Sequence, residues 1–127
     1  MKFSKKFVLM TVAVLLVLMM AAPLFAAGVA EKKPYIAVVS KGEQHDFWQQ
    51  VRLGATAAAT EFGVEITFEG PPSESDVSIQ VEMLNSAIAR GPVAVALAAL
   101  DTNAVTDQLI SLQSQNIPVV GFDSGVP

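Results

Sequence analysis

From residue 35 onward, short apolar runs rich in β-branched residues alternate with longer segments that carry apolar residues at helical spacing. Continuous apolar runs are typical of strands buried on both faces, and four are present. They are residues 35–40, 64–68, 93–100 and 117–122. Because the connections are short and crossovers are right-handed, the alternation predicts an α/β fold, a parallel doubly wound sheet with helices on both faces.

Three helices are predicted between these strands, each with start and stop signals. The predicted caps are Asp46, Asp76 and either Thr102 or Asn103. The predicted ends are Gly63, the pair Arg90 and Gly91, and Asn116. The first helix has an apolar stripe that should face the sheet. Its members are Phe47, Val51, Ala55, Ala58 and Phe62.

A strand order of 2-1-3-4 would bring the loops after strands one, three and four to one carboxyl edge. Those loops are residues 41–47, 101–103 and 123–125. Beyond residue 30, the clusters of polar or aromatic residues all lie in these three loops, except for the polar loop of residues 70–76. Open α/β sheets bind ligands at this edge, so the sequence predicts a small-molecule site there.

Residues 1–30 are predicted to be a secretory signal peptide. Lys2, Lys5 and Lys6 precede the uncharged apolar run of residues 7–22, and small residues follow. This run is short for a membrane span of about 20 residues, although a permanent anchor is the alternative. Several small residues between positions 26 and 30 suit cleavage. Since the chain has no cysteine for lipid attachment, we expect residues 31–127 to be released into a periplasm, within the cell envelope.

Composition excludes several classes of function. Without cysteine there are no disulfides, thiolate metal sites or cysteine nucleophiles, and the single histidine, His45, leaves no histidine cluster or catalytic triad. Three of the 8 Lys and Arg residues lie in residues 1–30, so the remainder has five Lys and Arg against 12 Asp and Glu. This negative net charge makes nucleic-acid binding a poor hypothesis. Neither GxGxxG nor GxxxxGK[ST] is present. We expect no cofactor, metal or catalytic residue.

Four stretches, taken in order, resemble the periplasmic sugar-binding proteins of ABC transporters, of the ribose-binding type. They are YIAVVSKGEQHDFWQQVRLGATAAATEFG, DVSIQVEMLNSAIARG, ALAALDTNAV and IPVVGFDSGVP. The resemblance implies that residues 31–127 are part of the N-terminal lobe of a two-lobe protein whose lobes close on a sugar. It further implies a monomer that delivers this sugar to permease subunits in the membrane.

The predicted edge has aromatic residues that suit a sugar, because aromatic faces match the C–H faces of a sugar ring. In the family, the aromatics that match Phe47 and Trp48 stack on the sugar or wall the pocket. Core packing is the alternative for Phe47, since Val51 follows it at helical spacing. Packing on the surface is the alternative for Trp48.

Polar candidates complete the predicted site. Asp123 corresponds to a ligand carboxylate of the family, where an Arg usually follows in place of Ser124, and both residues are predicted to contact the ligand. A turn residue is the alternative for Asp123. His45 stands where the family often has an Asn that reaches the sugar, with a solvent-exposed loop role as the alternative. Asp101 borders the same edge, but capping the third helix explains it equally well.

Three functions follow as hypotheses. The first is a receptor that captures a monosaccharide-like ligand for ABC-transporter import. The second is a receptor that presents a sugar-like signal to a chemotaxis or sensing protein. The third, an exported α/β hydrolase, requires a nucleophile and base that the sequence does not display.

Overall fold

The computed structural model describes residues 32–126, so the predicted signal peptide lies outside the described residues. Strands and helices alternate as the sequence predicts. The elements are β1 (Tyr35–Val39), α1 (Asp46–Phe62), β2 (Glu65–Glu69), α2 (Val77–Ala89), β3 (Ala94–Leu97), α3 (Thr106–Ser114) and β4 (Val119–Gly121). Within residues 32–126, no helix is both long and apolar enough to span a membrane.

The four strands form one parallel sheet in the order β2-β1-β3-β4, which confirms the predicted order. Ile36 of β1 lies between Ile66 of β2 and Ala94 of β3. The chain therefore extends the sheet first to one side of β1 and then to the other. The carboxyl ends of β1 and β3 mark this switch point, where open α/β sheets bind ligands.

A core of ten buried side chains lies between the sheet and helices α2 and α3. Its members are Tyr35, Ala37, Val39, Leu84, Ala87, Val95, Leu97, Ala99, Val105 and Leu112. Alternate residues of β1 and β3 contribute, since successive strand residues point to opposite faces. This packing holds the strand ends that carry the candidate site.

The opposite face of the sheet contacts α1, and Ala55, Ala58 and Phe62 of the predicted stripe line an apolar groove against β1 and β2. Phe47 and Phe62 are 49% and 74% exposed, whereas Trp48 and Ala59 are the buried residues of the helix. The prediction was wrong about Phe47, the first residue of the stripe, because Trp48 turns inward and finds a hydrogen-bond partner for its indole nitrogen. At the start of α1 the buried side chain is therefore Trp48, and Phe47 is left at the surface.

Two helix starts also differ from the prediction. The cap of α1 is His45, whose Nδ1 accepts a hydrogen bond of 3.2 Å from the amide of Phe47, so Asp46 is the first helical residue. Helix α3 begins at Thr106, later than either predicted cap. An extra turn precedes the helix, because Oδ1 of Asp101 accepts hydrogen bonds from the backbone amides of Asn103 and Ala104.

Three predicted stops and starts are confirmed. Gly63 follows α1 with a φ of 66° and Asn116 follows α3 with a φ of 56°, the left-handed conformation that ends helices. Asp76 precedes the first residue of α2 as its cap position, although its side chain makes no capping hydrogen bond.

Candidate functional site

A cavity of about 290 Å³ opens at the carboxyl edge of the sheet. Its lining residues come from the loops after β1, β2 and β4 and from the first turn of α1. They are Lys41, His45, Phe47, Trp48, Glu74 and Asp123. Four of the six predicted site residues therefore meet in one place, as the strand order requires.

A larger cavity of about 470 Å³ lies beside β4 and α3, away from this edge. Aliphatic side chains dominate its lining, and none of the lining residues is charged. Ligand sites usually combine apolar walls with a few convergent polar groups. The smaller cavity meets that description and is the candidate site.

Phe47 presents the open aromatic surface of this cavity. Its ring is about half exposed and packs edge-to-face on Trp48, with ring centroids 4.8 Å apart and an interplanar angle of 77°. Trp48 supports the Phe47 ring on one side while solvent reaches the remainder. The geometry suits a platform for the apolar face of a sugar ring.

Trp48 has a different role in the geometry, because only 2% of it is exposed. Its Nε1 donates a hydrogen bond of 2.8 Å to Oε1 of Glu74, and its ring lies edge-to-face with Phe122 at 6.3 Å. Trp48 lines the cavity wall yet offers little free surface. It holds the base on which the Phe47 ring packs.

Glu74 reaches Trp48 because the loop after β2 lies directly against the loop after β1. A Cβ built on Gly70 would lie 2.8 Å from the carbonyl oxygen of Gly42 and closer still to Oγ of Ser40. The Ser40 hydroxyl donates to that same Gly42 carbonyl at 2.7 Å. Only glycine fits this approach.

Asp123 stands at the tip of β4 with a φ of 60°, in the left-handed region that Asp tolerates better than most residues. Its Oδ2 lies 2.7 Å from Nζ of Lys41, which follows the end of β1. The side chains are 34% and 21% exposed, so both reach the cavity. Sequence reasoning missed Lys41, although it is the only cationic residue in the three loops predicted to meet.

His45 is fixed by its capping role. Because Nδ1 accepts the Phe47 amide hydrogen, a neutral imidazole carries its proton on Nε2. Nε2 is therefore the nitrogen that can donate to a ligand. The residue is exposed and lines the cavity, so its predicted ligand role fits its placement.

Asp101 and Ser124 do not line this cavity. Asp101 is bonded to two backbone amides in the turn before α3, and the Ser124 hydroxyl donates to the carbonyl of Ala99 at 2.7 Å. Both side chains shape the backbone around the end of β3. Their contact with a ligand stays a prediction.

Gln80 of α2 is completely buried and joins the strand ends beneath the site. Its Nε2 donates to the carbonyls of Ser40 and Ala98, each at 2.9 Å, and its Oε1 accepts from the amide of Leu100 at 2.8 Å. The amide group therefore clamps the carboxyl end of β1 to that of β3. The sequence reading passed over this residue, whose only signal is a polar position amid the apolar residues of α2.

In the part of the chain that the structure describes, no three His, Asp or Glu side chains are grouped so that they could hold a metal ion. A doubly wound parallel sheet with aromatic and charged groups at its carboxyl edge defines a ligand-binding type of α/β lobe. A family model described as the periplasmic binding protein domain matches residues 36–127. The chain belongs to this family.

Three solved structures illustrate the relationship. A protein of Brachyspira murdochii, described as an ABC transporter and LacI family transcriptional regulator, is 52% identical with a TM-score of 0.70, over 74% of this chain and 29% of its own. An ABC transporter solute-binding protein of Agrobacterium vitis, bound to α-D-tagatopyranose, is 30% identical with a TM-score of 0.68. The match covers 74% of this chain and 31% of the Agrobacterium vitis protein.

The third structure is the periplasmic component of an ABC-type sugar transport system from Hahella chejuensis. It is 31% identical with a TM-score of 0.68, over 73% of this chain and 34% of its own. The chain thus spans about a third of the length of these structures. The fold is that of the type I lobe of periplasmic binding proteins, as the sequence predicts.

Proposed function

We propose that this chain forms one wall of the ligand site of a receptor that captures a monosaccharide-like solute for import by an ABC transporter. The observation that carries the proposal is the half-exposed ring of Phe47 beside the carboxylate of Asp123 in one cavity. An aromatic platform and a hydroxyl acceptor match the two kinds of surface on a sugar. The sugar bound by the Agrobacterium vitis protein, 30% identical, adds support.

The proposed binding mode follows from these positions. The apolar face of the sugar ring packs on Phe47, and Asp123 accepts hydroxyl hydrogen bonds while Nε2 of His45 donates one. A cavity of about 290 Å³ open on one side covers only part of a sugar. A second lobe would close over it, and burial would then penalise each unmatched hydroxyl by about 1–3 kcal/mol.

The proposed receptor binds its sugar without turnover. His45 is the only histidine, and its Nδ1 is occupied by the Phe47 amide. Export to the periplasm by residues 1–30 and delivery to membrane permease subunits complete the proposal. The alternative is a sensing role, which an uptake experiment distinguishes from transport.

The test is calorimetric titration of the protein as its gene encodes it in full with D-ribose, D-xylose, D-allose, D-galactose and D-tagatose. We expect micromolar or tighter binding of at least one sugar, which is recovered unchanged after incubation. Absence of binding to every sugar, or conversion of a sugar to product, contradicts the proposal.

Uptake of the bound sugar in its radiolabelled form distinguishes transport from sensing. Cells that lack the gene should import that sugar more slowly than the parent strain. Unchanged uptake together with tight binding by the purified protein would favour the sensing role instead.

A further inference from the structure

Lys41 and Asp123 form a charged pair that is built across the candidate site. Lys41 follows β1 and Asp123 follows β4, so the ion pair of 2.7 Å spans the intervening end of β3. Both side chains line the cavity that contains Phe47. Since exposed ion pairs contribute little to folding stability, the placement of this pair over the cavity suggests another role.

The pair offers a donor and an acceptor side by side. An ammonium group has three N–H donors, and a carboxylate has two oxygens that together accept about four hydrogen bonds. The contact between Nζ and Oδ2 uses only part of this capacity. The oxygens of adjacent hydroxyl groups on a sugar ring are separated by a distance similar to that between Nζ and Oδ2. Each hydroxyl can both donate and accept a hydrogen bond.

The charges around the cavity restrict the ligand further. Lys41 is the only cationic side chain among the lining residues, and its charge is matched by Asp123. Glu74 adds a second carboxylate, which is bonded to Trp48. An anionic group would therefore meet excess negative charge here, whereas a neutral polyol would not.

We propose that Lys41 is a specificity-determining residue that acts with Asp123 as a donor–acceptor pair for two adjacent hydroxyls of a neutral sugar. This inference rests on the proposed function, because it requires that a sugar occupies the cavity. Lys41 donates to one hydroxyl oxygen, and Asp123 accepts the hydrogen of the neighbouring hydroxyl. Sugars that lack either hydroxyl, and sugar phosphates or uronic acids, are discriminated against.

The test uses the full-length protein and the five neutral sugars named above, together with the monodeoxy analogues of each sugar that binds. Lys41→Met keeps the length of the stem but removes the donors, and Asp123→Asn keeps the shape and tolerates the positive φ. Lys33→Met is the matched control, because Lys33 is exposed and precedes β1 at the opposite edge of the sheet.

We expect Lys41→Met to weaken binding of the parent sugar about tenfold or more, the effect of one lost charged hydrogen bond. For one monodeoxy analogue the same substitution should have almost no effect, since the hydroxyl that Lys41 contacts is already absent. Asp123→Asn should show the same pattern with the analogue that lacks the neighbouring hydroxyl. Lys33→Met should bind every sugar like the unchanged protein, and D-glucuronic acid and D-glucose 6-phosphate should not bind.

Circular dichroism establishes that each variant is folded. Should Lys41→Met fail to fold, Lys41→Arg takes its place, because it keeps the charge but moves the donors. The inference is overturned if the unchanged protein binds a sugar while the folded Lys41 variant, Lys41→Met or its replacement, binds it equally well. Equal losses for the parent sugar and all its monodeoxy analogues overturn it too. If the unchanged protein binds no neutral sugar, the proposed function fails together with this inference.

Discussion

The indole Nε1 of Trp48 donates a hydrogen bond of 2.8 Å to Oε1 of Glu74, and this bond joins the start of α1 to the loop between β2 and α2. The indole is buried whereas Glu74 is exposed, so the carboxylate closes over the nitrogen from the solvent side. A buried N–H without a partner is costly. The bond therefore holds together two loops that line the candidate site, beneath the ring of Phe47.

Glu74→Ala should release Trp48 from this position. Removal of the acceptor leaves the indole N–H either unpaired or bonded to water, and we expect the free energy of unfolding to fall by about 1–2 kcal/mol. Trp48 is the only tryptophan, so its fluorescence reports the change directly, as a red-shifted emission maximum. Glu82→Ala, on an exposed position of α2, is the control and should leave the emission unchanged. Identical spectra for both variants would show that the hydrogen bond does not hold the ring.

Gln80→Leu should destabilise the lobe much more strongly. The substitution conserves size but leaves the carbonyls of Ser40 and Ala98 and the amide of Leu100 without this partner in a buried region. We expect a loss of about 2–4 kcal/mol in the free energy of unfolding, measured by urea denaturation. Gln113→Leu is the matched control on α3, where the side chain is exposed, and should change stability little. A similar small effect of both substitutions would contradict the clamp.

The order of the strands could be predicted from the sequence because few choices remain for four buried strands with short connections. Right-handed crossovers fix the parallel direction, and the order 2-1-3-4 places a switch point between strands one and three. In this order His45, Phe47 and Asp123 lie together, since each is near the carboxyl end of a strand. The edge of the site was therefore predictable before any coordinates.

The detailed roles at this edge were not predictable from spacing. Helical periodicity favoured Phe47 over Trp48 as a core residue, but the structure exposes Phe47 and buries Trp48. The deciding factor is the hydrogen bond to Glu74, a residue 26 positions away in sequence. The pairing of Lys41 with Asp123, across the end of β3, is similarly a tertiary contact that no local pattern encodes.

Gly70→Ala should displace the loop after β2. The new Cβ would clash with the carbonyl oxygen of Gly42 and with the Ser40 side chain, so we expect a loss of about 1–3 kcal/mol. Gly54→Ala is the matched control, because nothing lies within 4 Å of its added Cβ and it sits inside α1. In a helix interior this change should stabilise by about 0.5–1 kcal/mol. Thermal unfolding of both variants measures the opposite signs, and destabilisation by Gly54→Ala equal to that by Gly70→Ala would contradict the close approach.

Phe47→Ala should separate ligand binding from stability. Phe47 is about half exposed, so truncation removes the proposed sugar platform at a modest cost to the fold. Because the ring would cover apolar area on one face of the sugar, we expect about a tenfold or greater loss of sugar affinity in the full-length protein, which corresponds to about 1.4 kcal/mol or more. Phe47→Tyr keeps the ring and should retain most of the affinity.

Phe62→Ala is the control for Phe47→Ala, because Phe62 is also exposed and ends α1 far from the cavity lining. It should leave the affinity for the same sugar unchanged in the same calorimetric titration. Equal affinities for the Phe47→Ala and Phe62→Ala variants would remove the aromatic platform from the binding mode. A loss confined to Phe47→Ala, with thermal stability close to that of the unchanged protein, would assign the exposed ring to the ligand rather than to the core.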